Sequence, residues 1–380
     1  QFRWEIGEQN SLVIHLTLLP YLSAADEIKT KPTQHSVKKL MESGLNADII
    51  VCRTEHRLTN DLRKKIALFC NVDVKSVIES IDAKTIYDVP LLMLEEKLDK
   101  VVLKKLKIKS KTKADLSSWK KFVYNLKNPK NEVSIGLIGK YVELQDSYKS
   151  ILESFIHAGS VNSVKVNVHP IHSESINKTN VKSLMSNLDG VLVAPGFGDR
   201  GIEGKIISIE YARVNDIPFL GICLGMQMAV IEYARNVIGL KNANSTEMDY
   251  HTKHPVISLM EDQVNVEKKG GTMRLGSWKC EISKGTLTHD IYKKNVIKER
   301  HRHRYELNFN YIESLTKSGM VLCGKNPETD LVEIIELPNH RWFIGVQFHP
   351  EYQSTVDKPH PLFKSFIKAA TNKKRTYGRK

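Results

Sequence analysis

The sequence lacks an uninterrupted apolar run of bilayer length. Its best stretch, Leu12 to Leu22, is broken by His15, Thr17 and Pro20, whereas a spanning helix needs about 20 apolar residues. No membrane helix is therefore expected, and nothing reads as a secretory leader. Cysteine is also scarce. Cys52, Cys70, Cys223, Cys280 and Cys323 are odd in number and free of CxxC spacing, which speaks against a disulfide framework or a zinc site and for a reducing, cytoplasmic setting. No repeat of solenoid period is present. Charge of one sign is short: 43 acidic against 57 basic side chains give a formal +14. The excess is dispersed, much of it in Lys97 to Lys113 and the tail Lys373 to Lys380, rather than gathered in a nucleic-acid reading module. It reads as solvated connector and tail, and it also suits polyphosphate substrates.

What remains is ample for folding. With 380 residues, 41% of them hydrophobic, the chain can bury a core in each of two domains. Apolar strand-like runs alternate with helical patterns, the mark of a parallel α/β layer. The first block shows strands at 11 to 20, 47 to 53 and 77 to 81, with helices from about Thr33 to Gly44 and Asp61 to Phe69. Lysines crowd the stretch from Leu94 to Lys130, which reads as a helical segment and then a linker. A second α/β block follows, with strands at Val133 to Tyr141, Val164 to Ile171, Gly190 to Gly198 and Pro218 to Cys223. After Leu240 the pattern turns to shorter strands and turns.

The stretch Pro218 to Gln227, PFLGICLGMQ, carries the chemistry. A strand, a tight turn and a helix would place Cys223 on a sharp elbow, with Gly221 and Gly225 leaving room for a strained backbone. At a helix N-terminus the dipole favours thiolate. A buried structural cysteine is the alternative, set aside by the glycines and by a distant partner. FHPE supplies that partner: His349 and Glu351 lie two apart, pointing to one side of an extended segment as a base and its orienter. The loop APGFGDRG and the residue after the nucleophile offer oxyanion donors at the backbone N–H groups of Gly196 and Leu224, since Pro195 has none. A plain turn is the other reading of that loop.

Two further motifs are ambiguous by themselves. In KTKPTQ, Lys29 and Lys31 precede a helix, where two ammonium groups and a helix N-terminus favour polyphosphate; a solvated strand edge is the alternative. The repeat HRHR places His301 and His303 in alternation, but with no carboxylate or thiol cluster in view no metal site is expected. GGTMRLG falls short of a phosphate loop, because Ser277 stands where Lys is required.

GICLGMQ with GVQFHPE and a P-G-x-G loop resembles the class I (triad) glutamine amidotransferases. KTKPTQHSV, RKKIALFCNV, GKYVELQDSYKS, GFGDRGIEGK, NANSTEMD, GGTMRLG and ERHRHRYELN, in that order from about residue 3 to 371, are similar to the CTP synthase family. One departure is that the loop runs Ala194, Pro195, Gly196 where many members have two glycines; the first is lost, and Gly196, which can donate, is kept. The resemblance implies an α/β chain: a partial parallel-sheet nucleotide-binding (amidoligase) domain followed by a flavodoxin-like α/β amidotransferase domain. The expected division is 1–117 for the C-terminal part of the synthetase domain, 118–132 for a linker, 133–372 for the amidotransferase domain and 373–380 for a basic tail.

By the same resemblance, Cys223, His349 and Glu351 form the triad that releases ammonia from L-glutamine, held by Phe197, Gln227, Glu247 and Arg304. Lys29, Lys31, Gln34 and Lys65 correspond to UTP and CTP contacts, and Arg53, Asp82 and Ala83 to ATP contacts. The implied reaction has ATP phosphorylate the uracil 4-oxygen before ammonia displaces phosphate to give CTP, the last step of de novo pyrimidine nucleotide synthesis. ATP with Mg2+, activation by GTP near Arg200 to Glu203, feedback by CTP and a homotetramer are implied as well, with no nucleic acid or membrane partner. The chain opens on Gln1, and QFRWEIGEQNSL reads as the interior of a helix. The expectation is of an N-terminally incomplete chain without the family's phosphate loop and acidic magnesium ligands, able to hydrolyse glutamine but not to phosphorylate UTP. A different class I amidotransferase such as a GMP synthase is opposed by KTKPTQHSV and HRHRYE; a regulatory module that only binds nucleotide is opposed by the intact triad.

Overall fold

The computed structural model describes residues 1–259 and 273–372, apart from the side chain of Gln145. Gly270 to Thr272 of GGTMRLG and the basic tail 373–380 thus lie outside the described residues. The chain forms two compact units, Gln1–Val123 and Tyr124–Lys380.

The first unit is built on three parallel strands in sequence order, β1 (Ile14–Leu19), β2 (Ile49–Thr54) and β3 (Val77–Ile81). Helices α1 (Lys31–Glu42) and α2 (Asn60–Cys70) make the crossovers, as parallel neighbours require. Helix α1 begins two residues earlier than its pattern indicated. Pro32 sits in its first turn, where the missing N–H has no intrahelical partner to lose. Thr33 then ties helix to strand, bonding Thr17 Oγ1 at 3.0 Å and donating to Leu18 O at 3.2 Å. The core lies on the helical side, with Leu19, Ile50, Cys52 and Ile66 fully buried, while Leu16 and Leu18 of β1 are exposed.

The stretch expected as a linker at 118–132 is instead mostly helical. Residues Ser117–Lys127 form α3, because Trp119, Phe122 and Val123 recur at helical spacing beneath the lysines. Trp119 Nε1 donates to Tyr87 O at 2.7 Å and Phe122 packs edge-on against the Tyr87 ring at 4.9 Å.

The second unit is organised by a nine-stranded sheet. Its strands are β4 (Asn131–Gly139), β5 (Val164–His172), β6 (Gly190–Val193), β7 (Phe219–Ile222), β8 (Arg274–Ile282), β9 (Val296–His303), β10 (Val321–Lys325), β11 (Val332–Glu336) and β12 (Phe343–Val346). Their spatial order is β9-β8-β10-β11-β12-β7-β6-β4-β5. The five strands from β12 to β5 are parallel and the rest antiparallel. Strands β6, β7 and β12 are buried along their whole length, as parallel strands covered on both faces must be. Helices α4 (Lys149–Asn162) and α7 (Pro361–Thr371) pair with each other, as do α5 (Ile202–Val214) and α6 (Leu224–Tyr233). Two separate apolar clusters result.

The order has one functional consequence. From β4 the chain steps outward to β5, then returns to β6 on the other side of β4. Such a switch point opens a crevice beyond the carboxyl ends of the strands, where open α/β sheets bind ligands.

Candidate active site

Cys223 follows β7 directly, and its backbone shows why the turn is sharp. Its φ of 52° and ψ of −104° are a conformation that non-glycine residues rarely hold, costing on the order of 1–3 kcal/mol. Two glycines let the surroundings impose it. A Cβ on Gly221 would lie 2.8 Å from the carbonyl of Gly225, and one on Gly225 only 2.3 Å from Val193 O, so helix, elbow and neighbouring strand meet backbone to backbone. The Cys223 N–H donates to Val346 O at 2.7 Å, which fixes the elbow against β12. Helix α6 then runs inward with all ten residues buried.

Strand β12 ends beside the elbow and carries the partner. His349 Nδ1 and Glu351 Oε1 are 2.8 Å apart, both residues buried. With Nδ1 engaged, Nε2 has no hydrogen-bond partner of good geometry, yet it lies within electrostatic reach of Cys223. Burial pulls the imidazole pKa down, but Cys223 and Glu351 together push it up to about 11. The pair thus favours imidazolium beside a sulfur able to carry negative charge. Gln347 completes the setting: its Nε2 is 3.7 Å from the Cys223 sulfur, and its Oε1 accepts from Gln227 Nε2 at 3.2 Å. The other four cysteines are buried and free; burial raises Cys52 to about 12 and Cys70 to about 11, and raises Cys280 and Cys323 as well.

The loop after β6 closes the other side. A Cβ on Gly196 would lie 3.4 Å from Leu224 Cδ2, so the structure brings the two expected oxyanion residues together. Phe197 is half exposed, with the Arg302 guanidinium 5.9 Å from its ring centre. Glu247 Oε1 accepts from Gly198 N at 2.7 Å. Burial raises the Glu247 pKa, against the pull of Gly198, Lys140 and Arg304, which places Arg304 near it. Gln227 is spoken for, donating to Tyr305 O at 2.9 Å.

Lys140 escaped the sequence reading. At the end of β4, on the switch point, its Nζ donates to Phe197 O at 2.6 Å and Gly198 O at 3.0 Å. Burial and then Arg200 hold its pKa below the ordinary lysine range, with Glu247 and Asp199 pulling upward. A lysine closing a buried strand was the available signal. Arg200 and Glu203 are engaged already, with Glu174 at 2.7 Å and Arg235 at 2.9 Å.

The histidines of HRHR require a correction. They face inward from β9, and carboxylates do accompany them: His301 lies 3.5 Å from Glu333 and His303 3.2 Å from Glu306. Glu333 is distant in sequence, which hid it; Glu306 lies only three residues beyond His303 and was there to be read. Arg274 sits among them, 2.7 Å from Glu333 and 3.3 Å from Glu306. Burial, then Arg274 and His349, lower His303 to about 3, and His301 is lowered too, by burial first. Among the described residues no group of three or more His, Cys, Asp or Glu is disposed to hold a metal ion. No described helix is long and apolar enough to cross a membrane.

In the first unit the expected nucleotide residues fall into two groups. Lys29 pairs with Glu27 at 2.6 Å, and Lys65 acts on the same carboxylate. Lys31 opens α1, and Gln34 Nε2 donates to Thr30 Oγ1 at 3.1 Å. Arg53 and Asp82, 2.9 Å apart, stand at the carboxyl ends of β2 and β3 with Ala83 adjacent.

Two family models match the sequence. CTP synthase N-terminus matches residues 1–108 and Glutamine amidotransferase class-I residues 143–369. A CTP synthase of Christiangramia forsetii is 67% identical over 370 residues, 97% of this chain and 68% of that protein. The chain belongs to the CTP synthase family. Its members are glutamine-dependent carbon–nitrogen ligases of pyrimidine biosynthesis. The CTP synthase of Clostridium acetobutylicum is 55% identical over 97% of this chain and 69% of its own. Among solved structures, the glutaminase domain of Trypanosoma brucei CTPS with bound acivicin is 38% identical, with a TM-score of 0.60, covering 65% of this chain and 97% of that one. The α/β class expected from the sequence, with its class I amidotransferase domain, is the one observed.

Proposed function

We propose that the second unit hydrolyses L-glutamine at Cys223 and that its ammonia serves CTP formation from UTP. The observation that carries this reading is the convergence of Cys223 on its strained elbow with the His349–Glu351 pair and the Gly196–Leu224 loop contact, all beyond the carboxyl ends of parallel strands. His349 Nε2 takes the thiol proton, and the sulfur attacks the side-chain amide carbon. The oxyanion develops toward the N–H groups of Gly196 and Leu224. As the carbon–nitrogen bond breaks, the imidazolium returns its proton to the departing ammonia. Water, deprotonated by the same imidazole, cleaves the thioester to glutamate. Phe197 and Gln227 shape the glutamine cleft, and Glu247 and Arg304 can hold the ammonium and carboxylate of the free amino acid.

For the first unit, Lys29, Lys31, Gln34 and Lys65 are proposed to bind the phosphates and ring of UTP or CTP, and Arg53, Asp82 and Ala83 the adenosine of ATP. ATP with Mg2+ supplies activation of the uracil oxygen when bound. GTP activation through Arg200 to Glu203, CTP feedback, a homotetramer and a cytoplasmic setting complete the reading, as does a division into a synthetase part at 1–117 and an amidotransferase part at 133–372.

Ammonia release from glutamine tests the first half. Cys223→Ala should abolish it, and a glutamine-mimicking electrophile should alkylate wild-type Cys223; equal release by the variant refutes the assignment. Lys31→Ala should weaken UTP and CTP together by about tenfold, a charge-assisted contact being worth roughly 1.5–3 kcal/mol. Unchanged binding of both nucleotides removes the site from α1.

A further inference from the structure

Lys205 is a lysine with no solvent exposure, in the first turn of α5. Such burial is rare unless the ammonium has a task. The approach that puts it there is tight: a Cβ on the preceding Gly204 would lie 1.8 Å from Ser173 O. Lys205 Nζ donates to Ala194 O at 2.9 Å. It also lies 3.8 Å from where a Cβ on Gly196 would stand, beside the contact between Gly196 and Leu224. The side chain therefore grips the loop one residue before Pro195, immediately behind the two N–H groups assigned to the oxyanion.

Among the described residues, the charged groups that act on it are Lys140 and Cys223, with no carboxylate. Burial first and Lys140 second lower the Lys205 pKa, Cys223 raises it, and the net is about 7. An ammonium opposed by its surroundings and favoured by the nucleophile is disposed to gain charge as the site becomes anionic.

We propose that Lys205 is a positioning residue of the glutaminase site, holding the oxyanion loop through Ala194 O and setting a positive charge behind it. This rests on the assignment of Cys223 as nucleophile. The charge is worth more once sulfur and oxygen share a negative charge in the tetrahedral intermediate than with glutamine merely bound. Its effect belongs to the transition state, not to substrate affinity.

The test uses the full chain carrying Lys205→Met, with wild type and Cys223→Ala in parallel. Ammonia release is measured against glutamine concentration, and binding of the γ-aldehyde analogue of glutamine, which forms a tetrahedral adduct with the thiol, is measured separately. Expected for Lys205→Met are a kcat lowered about tenfold or more, a KM within about threefold of wild type, and aldehyde affinity lowered in step with kcat/KM. A raised KM with kcat intact, or unchanged aldehyde affinity, overturns the proposal. Thermal unfolding confirms that the variant is folded, with Lys205→Leu replacing it if it is not; loss of folding in both assigns the residue to architecture alone and likewise overturns the proposal. If wild type releases no ammonia, or Cys223→Ala releases it equally, the parent assignment fails; if those controls behave and Lys205→Met matches wild type, only this inference does.

Discussion

At the scale of single residues, the site holds charges that burial alone would remove. His349 is the clearest case: its imidazole is raised to about 11 by Cys223 and Glu351 against the opposing effect of burial. A group raised in the folded state contributes stability that is complete below its unfolded value near 6.5 and is lost as pH rises toward 11. In Cys223→Ala the His349 titration, followed by NMR of the ring nitrogens, should move to lower pH. A titration that stays in place assigns the whole effect to Glu351. Lys205 has the opposite sign. Lowered from 10.5 to about 7, it leaves the unfolded chain binding more protons between those values, so its own contribution to stability rises with pH across that window, against the fall due to His349. Between pH 7 and pH 10, Lys205→Met should therefore lose stability relative to wild type in denaturant titrations; an unchanged difference contradicts the assignment. Cys223, His349 and Glu351 were legible in the sequence because motif glycines and a two-residue spacing are local. Lys140, Gln347 and the carboxylate of Glu333 beside His301 were not, since each acquires its role only when strands distant in sequence become neighbours.

At the scale of elements, the elbow shows how little latitude the site allows. Helix α6 is apolar nearly all round, as a wholly buried helix must be, and its polar members are satisfied. Glu232 receives Arg213 at 2.6 Å and 2.8 Å, while Gln227 donates to Tyr305 O and Gln347. Gly225→Ala would press a Cβ to 2.3 Å from Val193 O. Since backbone cannot yield as a flexible side chain does, about 1–3 kcal/mol of stability should be lost, and a shift of α6 should lower glutamine hydrolysis at least about 100-fold. Chemical denaturation and ammonia release check the two effects, and a stable, active variant contradicts the packing argument. Strand β3 was read with its observed ends, because turn and helix signals bound it. The helix within the expected linker was missed, because its lysines concealed apolar residues on one face.

At the scale of the whole molecule, the chain comprises two units with separate cores. Each residue proposed for the triad or for glutamine binding, and Lys205, belongs to the second. A fragment of residues 124–372 should therefore fold and release ammonia from glutamine with the same dependence on Cys223. Circular dichroism and an ammonia assay decide this; an inactive but folded fragment would show that the first unit contributes to the glutaminase site. The order of α/β segments was readable from alternating apolar runs. The strand order was not, because the return past β4 that creates the crevice depends on connections carrying no local signature.

The approach of Gly225 to Val193 O leaves less than the width of one carbon atom. Most positions in a protein can be altered by degrees, a methyl at a time, each step tolerated before the next. Here the smallest possible step is already too large. A search for variants with new amide substrates therefore has to travel through the loop after β6 and the residues around Glu247, where side chains can be exchanged gradually, and leave the elbow as it stands.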